Sequence, residues 1–302
     1  MYRISTNQYY SKSMSQMALL TQNADRLQTQ VATGKKLVAP SDDSVSYQRL
    51  ALIRRGTAND ATYTANVALA QSVVTTADTT LGSVEQQLQR ATELALQANS
   101  GVLSKSDLEV IAVALDGIVE DLVSLANTKD VRGAPLFGAG GDAAFTRNAD
   151  GSVSYVGADS TDGVPIGESA SVQLSDNGGR FLGGSGDPAN PDMFAAITAL
   201  AAALRDGSDV AGGVGEALTE LDRSLNEVTT TRSVIGARGA RLDFETDRLR
   251  DVDLDRQETR SAIEDTDVPA AIAELQKTLT ILQATQASFT KLSGMSLFDY
   301  LR

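Results

Sequence analysis

The 302-residue chain contains no cysteine, no histidine and no tryptophan. Without cysteine it has no disulfide bonds and no thiolate metal sites. Without histidine it lacks the usual general base of enzymes and the commonest protein ligand of transition metals. A serine nucleophile would then need lysine or another unusual base, and no motif supplies one. The sequence therefore predicts a non-enzyme without cofactor, metal or catalytic residues.

Long apolar runs are absent as well. No stretch approaches the roughly 20 apolar residues that span a bilayer, so we expect no membrane insertion. The first residues, Met1-Tyr-Arg-Ile-Ser-Thr-Asn, lack the apolar segment of a secretory signal. The net charge of −13 is unfavourable for nucleic acid, because phosphate binding requires clustered cations. A chain of this kind is either cytoplasmic or exported without a cleaved signal peptide.

The charges that are present are unevenly distributed. In residues 1–40 five cations stand against the single acid Asp25, whereas acids dominate residues 243–267 despite interleaved arginines. The two segments could attract one another within a subunit or between subunits, or they could simply be solvated helix faces. The triplet Asp251, Asp253 and Asp255 resembles the start of a calcium loop but has Arg256 where that loop requires glycine, so we predict no calcium site.

Aromatic residues make up only 5% of the chain, while hydrophobic residues reach 42%. This composition suits narrow seams between helices better than a thick core. Apolar or small residues at alternating steps of three and four predict helices with one apolar face that packs against another helix. We call each such row of residues a seam. The first such seam comprises Tyr10, Ser13, Met17, Leu20, Ala24, Leu27 and Val31.

Further seams follow the same rhythm. A long one runs through Val67, Ala70, Val74, Ala77, Leu81, Val84, Leu88, Ala91, Ala95 and Ala98, and its predicted N-cap is Ser41 or Asp42. A return helix after Ser106-Asp107 carries Leu108, Ile111, Leu115, Ile118, Leu122 and Leu125. After a break predicted at Gly212-Gly213 come Val214, Leu218, Leu221, Leu225, Val228, Ile235, Leu242 and Leu249, with polar interruptions at Arg232, Gly239 and Thr246. The last seam comprises Val268, Ile272, Leu275, Leu279, Leu282 and Phe289.

Between these helices lies a segment rich in glycine, aspartate, serine and asparagine. Residues 145–156 have the pattern of a β-hairpin, and residues 164–166 and 171–174 are further short strand candidates. The segment is therefore expected to be a small β-rich insert, and the alternative is a partly disordered surface loop. The fold class is therefore mainly α, with long coiled-coil-like helices from both termini forming a rod-shaped bundle around a small β-rich insert. The predicted domains are a terminal coiled-coil domain (1–40 with 265–302), a helical rod (41–137 with 192–264) and a surface-exposed insert (138–191).

Several motifs resemble one known family. Residues 33–36 (Thr-Gly-Lys-Lys) and 40–43 (Pro-Ser-Asp-Asp) are similar to the N-terminal signature of flagellin and its relatives. Residues 126–130, 135–138, 263–267 and 292–301 look like the hook-associated type of this family, found at the hook–filament junction. The insert carries no motif of the family.

This resemblance implies an extracellular structural protein of the flagellum, passed through the flagellar type III export apparatus. It implies a homo-oligomeric ring, with an inner tube of terminal helices, an adjacent hook-associated protein and flagellin as neighbours, and a cytoplasmic export chaperone. Flagellin itself is the main alternative, and a secreted helical adhesin or needle-tip protein is another.

Both ends of the chain carry aromatic side chains beside heptads that are poor in large residues. We expect such terminal helices to be marginal in isolation and to order on assembly; the alternative is that the aromatics cap an ordinary helical bundle. The predicted assembly contacts are Tyr2, Ile4, Tyr9, Tyr10, Met17, Leu20, Leu27, Val31, Ile272, Leu275, Leu279, Leu282, Phe289, Leu297, Phe298, Tyr300 and Leu301.

Overall fold

The computed structural model describes residues 2–100, 103–158, 163–207 and 209–298, with the side chains of residues 2–7 and 292–298 left out. Six α-helices lie in this range, and they confirm the prediction of a mainly α protein. They are α1 (Tyr2–Thr33), α2 (Ser44–Ala98), α3 (Lys105–Ala126), α4 (Met193–Asp206), α5 (Val210–Glu264) and α6 (Val268–Phe298).

Four short strands form the β region. Strand β1 (Phe145–Arg147) pairs antiparallel with β2 (Val153–Tyr155), with Phe145 opposite Tyr155. Strand β3 (Val164–Pro165) pairs antiparallel with β4 (Ser171–Val172). The predicted hairpin and the two further strand candidates are thus confirmed. A short 3-10 helix, Gly178–Arg180, follows them.

The start of α2 differs from the prediction by one or two residues. The backbone N–H groups of Val45 and Ser46 donate to Oδ1 of Asp43 at 3.0 and 3.1 Å, so Asp43 caps the helix. Asp42, a predicted cap, instead accepts hydrogen bonds from the backbone of Val38 and Ala39. The pKa of Asp43 is lowered most by the hydrogen bond that the Ser46 hydroxyl donates to its Oδ2 at 2.6 Å, and further by the backbone of Ser46. The hydrogen bonds from the backbone of Ala39 and Val38 lower the pKa of Asp42.

Two other boundaries are also corrected. Helix α3 begins at Lys105 rather than after Asp107, because Ser104 and Asp107 form a reciprocal capping box. The break before α5 lies at Gly207, which has φ of +70° and ends α4 in the left-handed conformation, and not at Gly212-Gly213. Gly213 lies inside α5, where an added Cβ would come within 2.7 Å of the Ala203 side chain, so glycine there permits close helix packing.

The chain divides into two compact units. The terminal unit comprises Met1–Ala58 and Val252–Arg302, and the central unit comprises Asn59–Asp251. The boundary between these units falls inside α2 and α5. Residues 138–191 lie in the central unit with the helices that flank them.

One hydrophobic core fills the central unit. Every residue of the predicted α2 seam from Val67 to Ala98 is buried, as are the α5 positions Val228, Ile235, Leu242 and Leu249. The insert contributes to the same core, differing in this respect from the predicted surface domain: Phe145, Ile166, Phe181 and Leu182 are at most 4% exposed.

Candidate assembly site

Helices α1 and α6 pack side by side in the terminal unit and run antiparallel. At one end Lys35 forms a β-bridge with Asp265, and towards the other end the ring of Tyr10 contacts that of Phe289. Asp267 caps the N-terminus of α6, since its Oδ1 accepts a hydrogen bond from the backbone N–H of Ala270 at 3.1 Å. Pro269 stands in the first turn, where its missing N–H costs no hydrogen bond.

The α1 face of this pair follows the predicted seam. Ala24 and Leu27 are buried, and Met17, Leu20 and Val31 are half-buried. Two polar residues, Ser13 and Gln30, complete the buried positions. The contact is therefore thin, because only small or polar side chains and a single leucine are fully covered among the described residues of α1.

The α6 face differs from the prediction at two positions. Among the side chains of α6 that the structure describes, Ala271 and Thr278 are buried, and Leu275, Leu282 and Phe289 are half-buried beside them. Ile272 and Leu279, placed in the seam from the sequence, are 39% and 42% exposed. At both places the sequence pattern predicted that the larger of two adjacent residues is buried. Helix α1 approaches so closely that the smaller residue, Ala271 or Thr278, is buried instead.

Large apolar side chains thus remain in contact with solvent on both terminal helices. Besides Ile272 and Leu279 they are Tyr9, Met14, Leu19 and Ile281. Met14, Leu19 and Ile281 are not among the predicted assembly contacts, and the signal that marks them is a large apolar residue outside the seam of a long helix. Of the predicted contacts, Tyr2, Ile4, Leu297 and Phe298 lie on helices without described side chains, and Tyr300 and Leu301 lie outside the described residues.

A charged cluster joins the loop after α1, the first turns of α2 and the end of α5. Glu264, whose side chain is 5% exposed, accepts hydrogen bonds from Nζ of Lys35 at 2.7 Å and from the guanidinium of Arg54 at 3.0 Å. The hydrogen bond from Lys35 lowers the pKa of this carboxyl group most; burial opposes the shift, and the charges of Lys35 and Arg54 reinforce it. We call Lys35, Arg54 and Glu264 the Glu264 junction.

Backbone hydrogen bonds strengthen the same connection. The N–H of Lys36 donates to the carbonyl of Glu264 at 2.8 Å, and the N–H of Thr266 donates to the carbonyl of Gly34 at 2.9 Å. The Gln30 side chain donates to the carbonyl of Lys36 at 3.0 Å. The end of α1 and the start of α6 are therefore tied together before the two helices extend.

The burial of the terminal pair is small for its length. Helix α3, with 22 residues, buries seven side chains, including four isoleucine or leucine residues on one face, Ile111, Leu115, Ile118 and Leu122. In α1 and α6, with 32 and 31 residues, the buried apolar side chains among those described are Ala24, Leu27 and Ala271. Ordering a backbone residue costs about 1–2 kcal/mol, and burying a leucine returns about 1.5–3 kcal/mol. The pair therefore buries little apolar surface within one chain for its length.

Comparison with known proteins is decisive for the family. The model of the bacterial flagellin N-terminal helical region matches residues 4–140, and that of the C-terminal helical region matches residues 218–301. The chain belongs to the flagellin family. The two family regions contain both terminal helices, the Glu264 junction and most of α2 and α5.

Individual relatives of this flagellin-family chain span almost its whole length. It is 27% identical to flagellar hook-associated protein 3 of Escherichia coli, over 98% of this chain and 99% of the relative. It is 24% identical to flagellin of Listeria monocytogenes, over 96% of this chain and 94% of the relative. The solved structure of flagellar hook-associated protein 3 from Legionella pneumophila is 16% identical with a TM-score of 0.62, covers 70% of this chain and 98% of its own, and shows the same fold.

Across the described part of the flagellin-family chain, the helices lack any segment with the length and hydropathy needed to cross a bilayer.

Proposed function

We propose that this chain is a structural subunit that polymerises at the junction between the hook and the filament of the bacterial flagellum, and adapts one to the other. The observation that carries the proposal is the thin seam between α1 and α6. Two helices of this length leave Met14, Leu19, Ile272, Leu279 and Ile281 in solvent. Neighbouring copies that cover these side chains would supply the missing burial.

The relatives favour the junction over the filament. The hook-associated protein of E. coli matches 99% of its length and the Listeria flagellin 94%, at 27% and 24% identity. Flagellin remains the second candidate, since the same family regions support it. A main filament subunit would be the most abundant protein of a purified flagellum, whereas a junction subunit would be a trace component.

The proposal has a defined set of partners. Copies of this chain associate through the terminal helices, with an adjacent hook-associated protein on one side and flagellin on the other. The chain reaches its extracellular place through the flagellar export apparatus, and a cytoplasmic chaperone binds its terminal helices beforehand. It has no enzymatic activity, because its function is structural.

The test uses a strain that lacks the protein and carries either the full chain or a chain without residues 1–10 and 294–302. We expect the full chain to restore filament attachment and to be found between hook and filament by labelling. The truncated chain should be soluble and helical but fail to restore attachment, because Tyr9 and Tyr10 are lost together with the end of α6.

Two results would contradict the proposal. Restoration by the truncated chain would show that the extreme ends are not the assembly contacts. Recovery of the full chain as the main protein of purified filaments would instead identify it as flagellin. The soluble, helical state of the truncated chain is checked by circular dichroism before either result is interpreted.

A further inference from the structure

Within the terminal unit, the first turns of α2 present an exposed basic face. Val45, Arg49, Leu52 and Arg55 follow each other at steps of four, three and three, so they lie along one side of the helix. Val45 and Leu52 are 74% and 64% exposed. Residues 44–58 contain no acid. We call these four residues the basic face.

The end of α5 in the same unit presents a face of the opposite charge. Leu254, Asp255 and Glu258 lie at steps of one and three and are all exposed, with Leu254 at 53%. Arg256 and Arg260 lie elsewhere, because at about 100° per residue they project about 160° and 120° away from Leu254. The exposed Arg250, one turn before Leu254, borders this face at its N-terminal end. We call these three residues the acidic face.

The charges on both faces lack partners within the described part of the chain. The side chains of Arg49, Arg55, Asp255 and Glu258 make no ion pair or hydrogen bond there, whereas the guanidinium of the neighbouring Arg54 binds Glu264 at 3.0 Å. The two faces do not meet within one copy. Contact between α2 and α5 in this unit runs through Gly56 and Arg256, since a Cβ at Gly56 would overlap the guanidinium of Arg256. The acidic face lies on the other side of α5.

We propose that the basic face of one copy docks on the acidic face of the next copy. Each face combines charge with an exposed leucine, so that docking joins complementary charges around a small apolar contact. The two faces are different surfaces of one chain, so the contact is heterologous and repeats from copy to copy into a ring or helix. This inference rests on the proposed polymerisation and names a lateral contact for it, apart from the contacts of α1 and α6.

Charge reversal tests the pairing in the full chain, expressed in the strain that lacks the protein. One variant carries Arg49→Glu and Arg55→Glu, and a second carries Asp255→Arg and Glu258→Arg. We expect each to reduce the number of attached filaments at least about tenfold, because like charges then oppose each other across the contact. A variant with all four substitutions should restore attachment, since its two faces are complementary again.

Matched controls reverse charges on the central unit. Arg241→Glu with Lys105→Glu matches the first variant, and Asp142→Arg with Glu216→Arg matches the second; all four residues are exposed. We expect both controls to attach filaments like the unaltered chain. Helical content by circular dichroism shows that each variant is folded before its attachment is scored.

Cross-linking gives a readout that does not depend on charge. The chain has no cysteine, so Leu52→Cys and Leu254→Cys introduce the only thiols when placed together in one chain. Oxidation of isolated hook–filament junctions should then link successive copies into a ladder of dimers and higher oligomers. Val234→Cys, 55% exposed on the central unit, replaces Leu254→Cys in the control and should give no ladder with Leu52→Cys.

The outcomes separate this inference from the proposed function. If the unaltered chain sits at the junction but the one-face variants attach filaments normally and no ladder forms, the lateral contact is wrong and the function stands. If the four-fold variant fails while folded and exported, the pairing of these two faces is overturned. If the unaltered chain is absent from the junction and restores nothing, the proposed function itself fails.

Discussion

The ring of Tyr10 on α1 meets the ring of Phe289 on α6 edge to face, with centroids 5.4 Å apart and an interplanar angle of 86°. Tyr9 adds a second edge contact to Tyr10, with centroids 6.4 Å apart. Both helices are poor in large buried residues at this end, so the aromatic pair is a main intramolecular contact there. It brings together two side chains that are 279 positions apart in sequence.

Removing this ring contact should loosen the terminal helices. We expect Phe289→Ala to cost about 0.5–1.5 kcal/mol for the lost ring pair, in addition to its lost apolar area. Amide hydrogen exchange along α1 and α6 of the full chain should then accelerate roughly two- to tenfold or more, while α3 is unchanged. Phe289→Leu is the control that keeps an apolar side chain. A double variant with Tyr10→Ala that is no looser than either single variant confirms the coupling, and strictly additive effects contradict it.

The Glu264 junction should make the terminal unit sensitive to acid. Because the pKa of Glu264 is lowered in the folded chain, its contribution is fully present above the unfolded pKa of about 4.3 and is lost as the pH falls through the folded value. Glu264→Gln should cost about 1–2 kcal/mol at neutral pH, since Lys35 and Arg54 are half exposed and partly rehydrate.

The measurement is hydrogen exchange of residues 30–36 and 262–268 between about pH 6 and pH 3, corrected for the intrinsic pH dependence of exchange. The unaltered chain should lose protection towards the acid end, and Glu264→Gln should start lower and change less. Glu274→Gln removes an exposed carboxylate of the same unit, paired with Lys277 at 3.4 Å, and serves as the control. Parallel pH curves for the unaltered chain and Glu264→Gln would rule out Glu264 as the acid-sensitive group.

The seams of the central unit could be predicted because apolar residues at alternating steps of three and four indicate which face of each helix is buried. The interruptions at Arg232, Gly239 and Thr246 could not be interpreted, since their partners lie far away in sequence. Arg232 binds Asp78 and Glu85, and Thr246 accepts a hydrogen bond from Gln71, all on α2. An apparently weak seam is therefore a strip of polar contacts between α2 and α5.

On the terminal helices the sequence pattern was accurate for only one of the two. It predicted the residues of α1 that contact α6, but on α6 it predicted that Ile272 and Leu279 are buried, whereas the buried residues there are Ala271 and Thr278. The hydrophobic pattern of an isolated chain includes residues that a neighbouring subunit would cover, and it cannot separate these from residues buried within the chain. Caps and breaks shifted by one to five residues, because several adjacent Ser, Asp and Gly residues could serve each role.

The polar strip yields a third prediction, at Arg232. Its Nε donates to Oδ1 of Asp78 at 3.1 Å and its Nη1 donates to Oε2 of Glu85 at 2.6 Å. We expect Arg232→Met to lower the free energy of unfolding of the central unit by about 1 kcal/mol, because all three groups are partly solvated. Arg232→Lys should recover only part, since one ammonium does not match two carboxylates. Urea unfolding measures both, and Arg250→Met, at an exposed arginine, should change little; equal losses at Arg232 and Arg250 would contradict the role of the pairing.

The fourth prediction concerns Asn127, which holds the β region to the end of α3. Its Oδ1 accepts hydrogen bonds from the N–H groups of Ala144 and Phe145, and its Nδ2 donates to the carbonyl of Phe145, all at 2.9 Å. Asn127→Ala leaves two backbone donors and one acceptor unpaired beside the buried Phe145 ring, so we expect a loss of about 2–4 kcal/mol.

Asn127→Asp separates this role from the mere presence of a polar side chain. The aspartate keeps both accepted hydrogen bonds but turns the third contact into a repulsion between a carboxylate oxygen and the Phe145 carbonyl, so its loss should fall between those of asparagine and alanine. Urea unfolding gives the free energies, and hydrogen exchange of residues 144–147 locates the effect. Asn99→Ala, at an exposed position after α2, is the control. If Asn127→Ala costs no more than this control, the hairpin is held by the packing of Phe145 against Tyr155 and Phe194 alone.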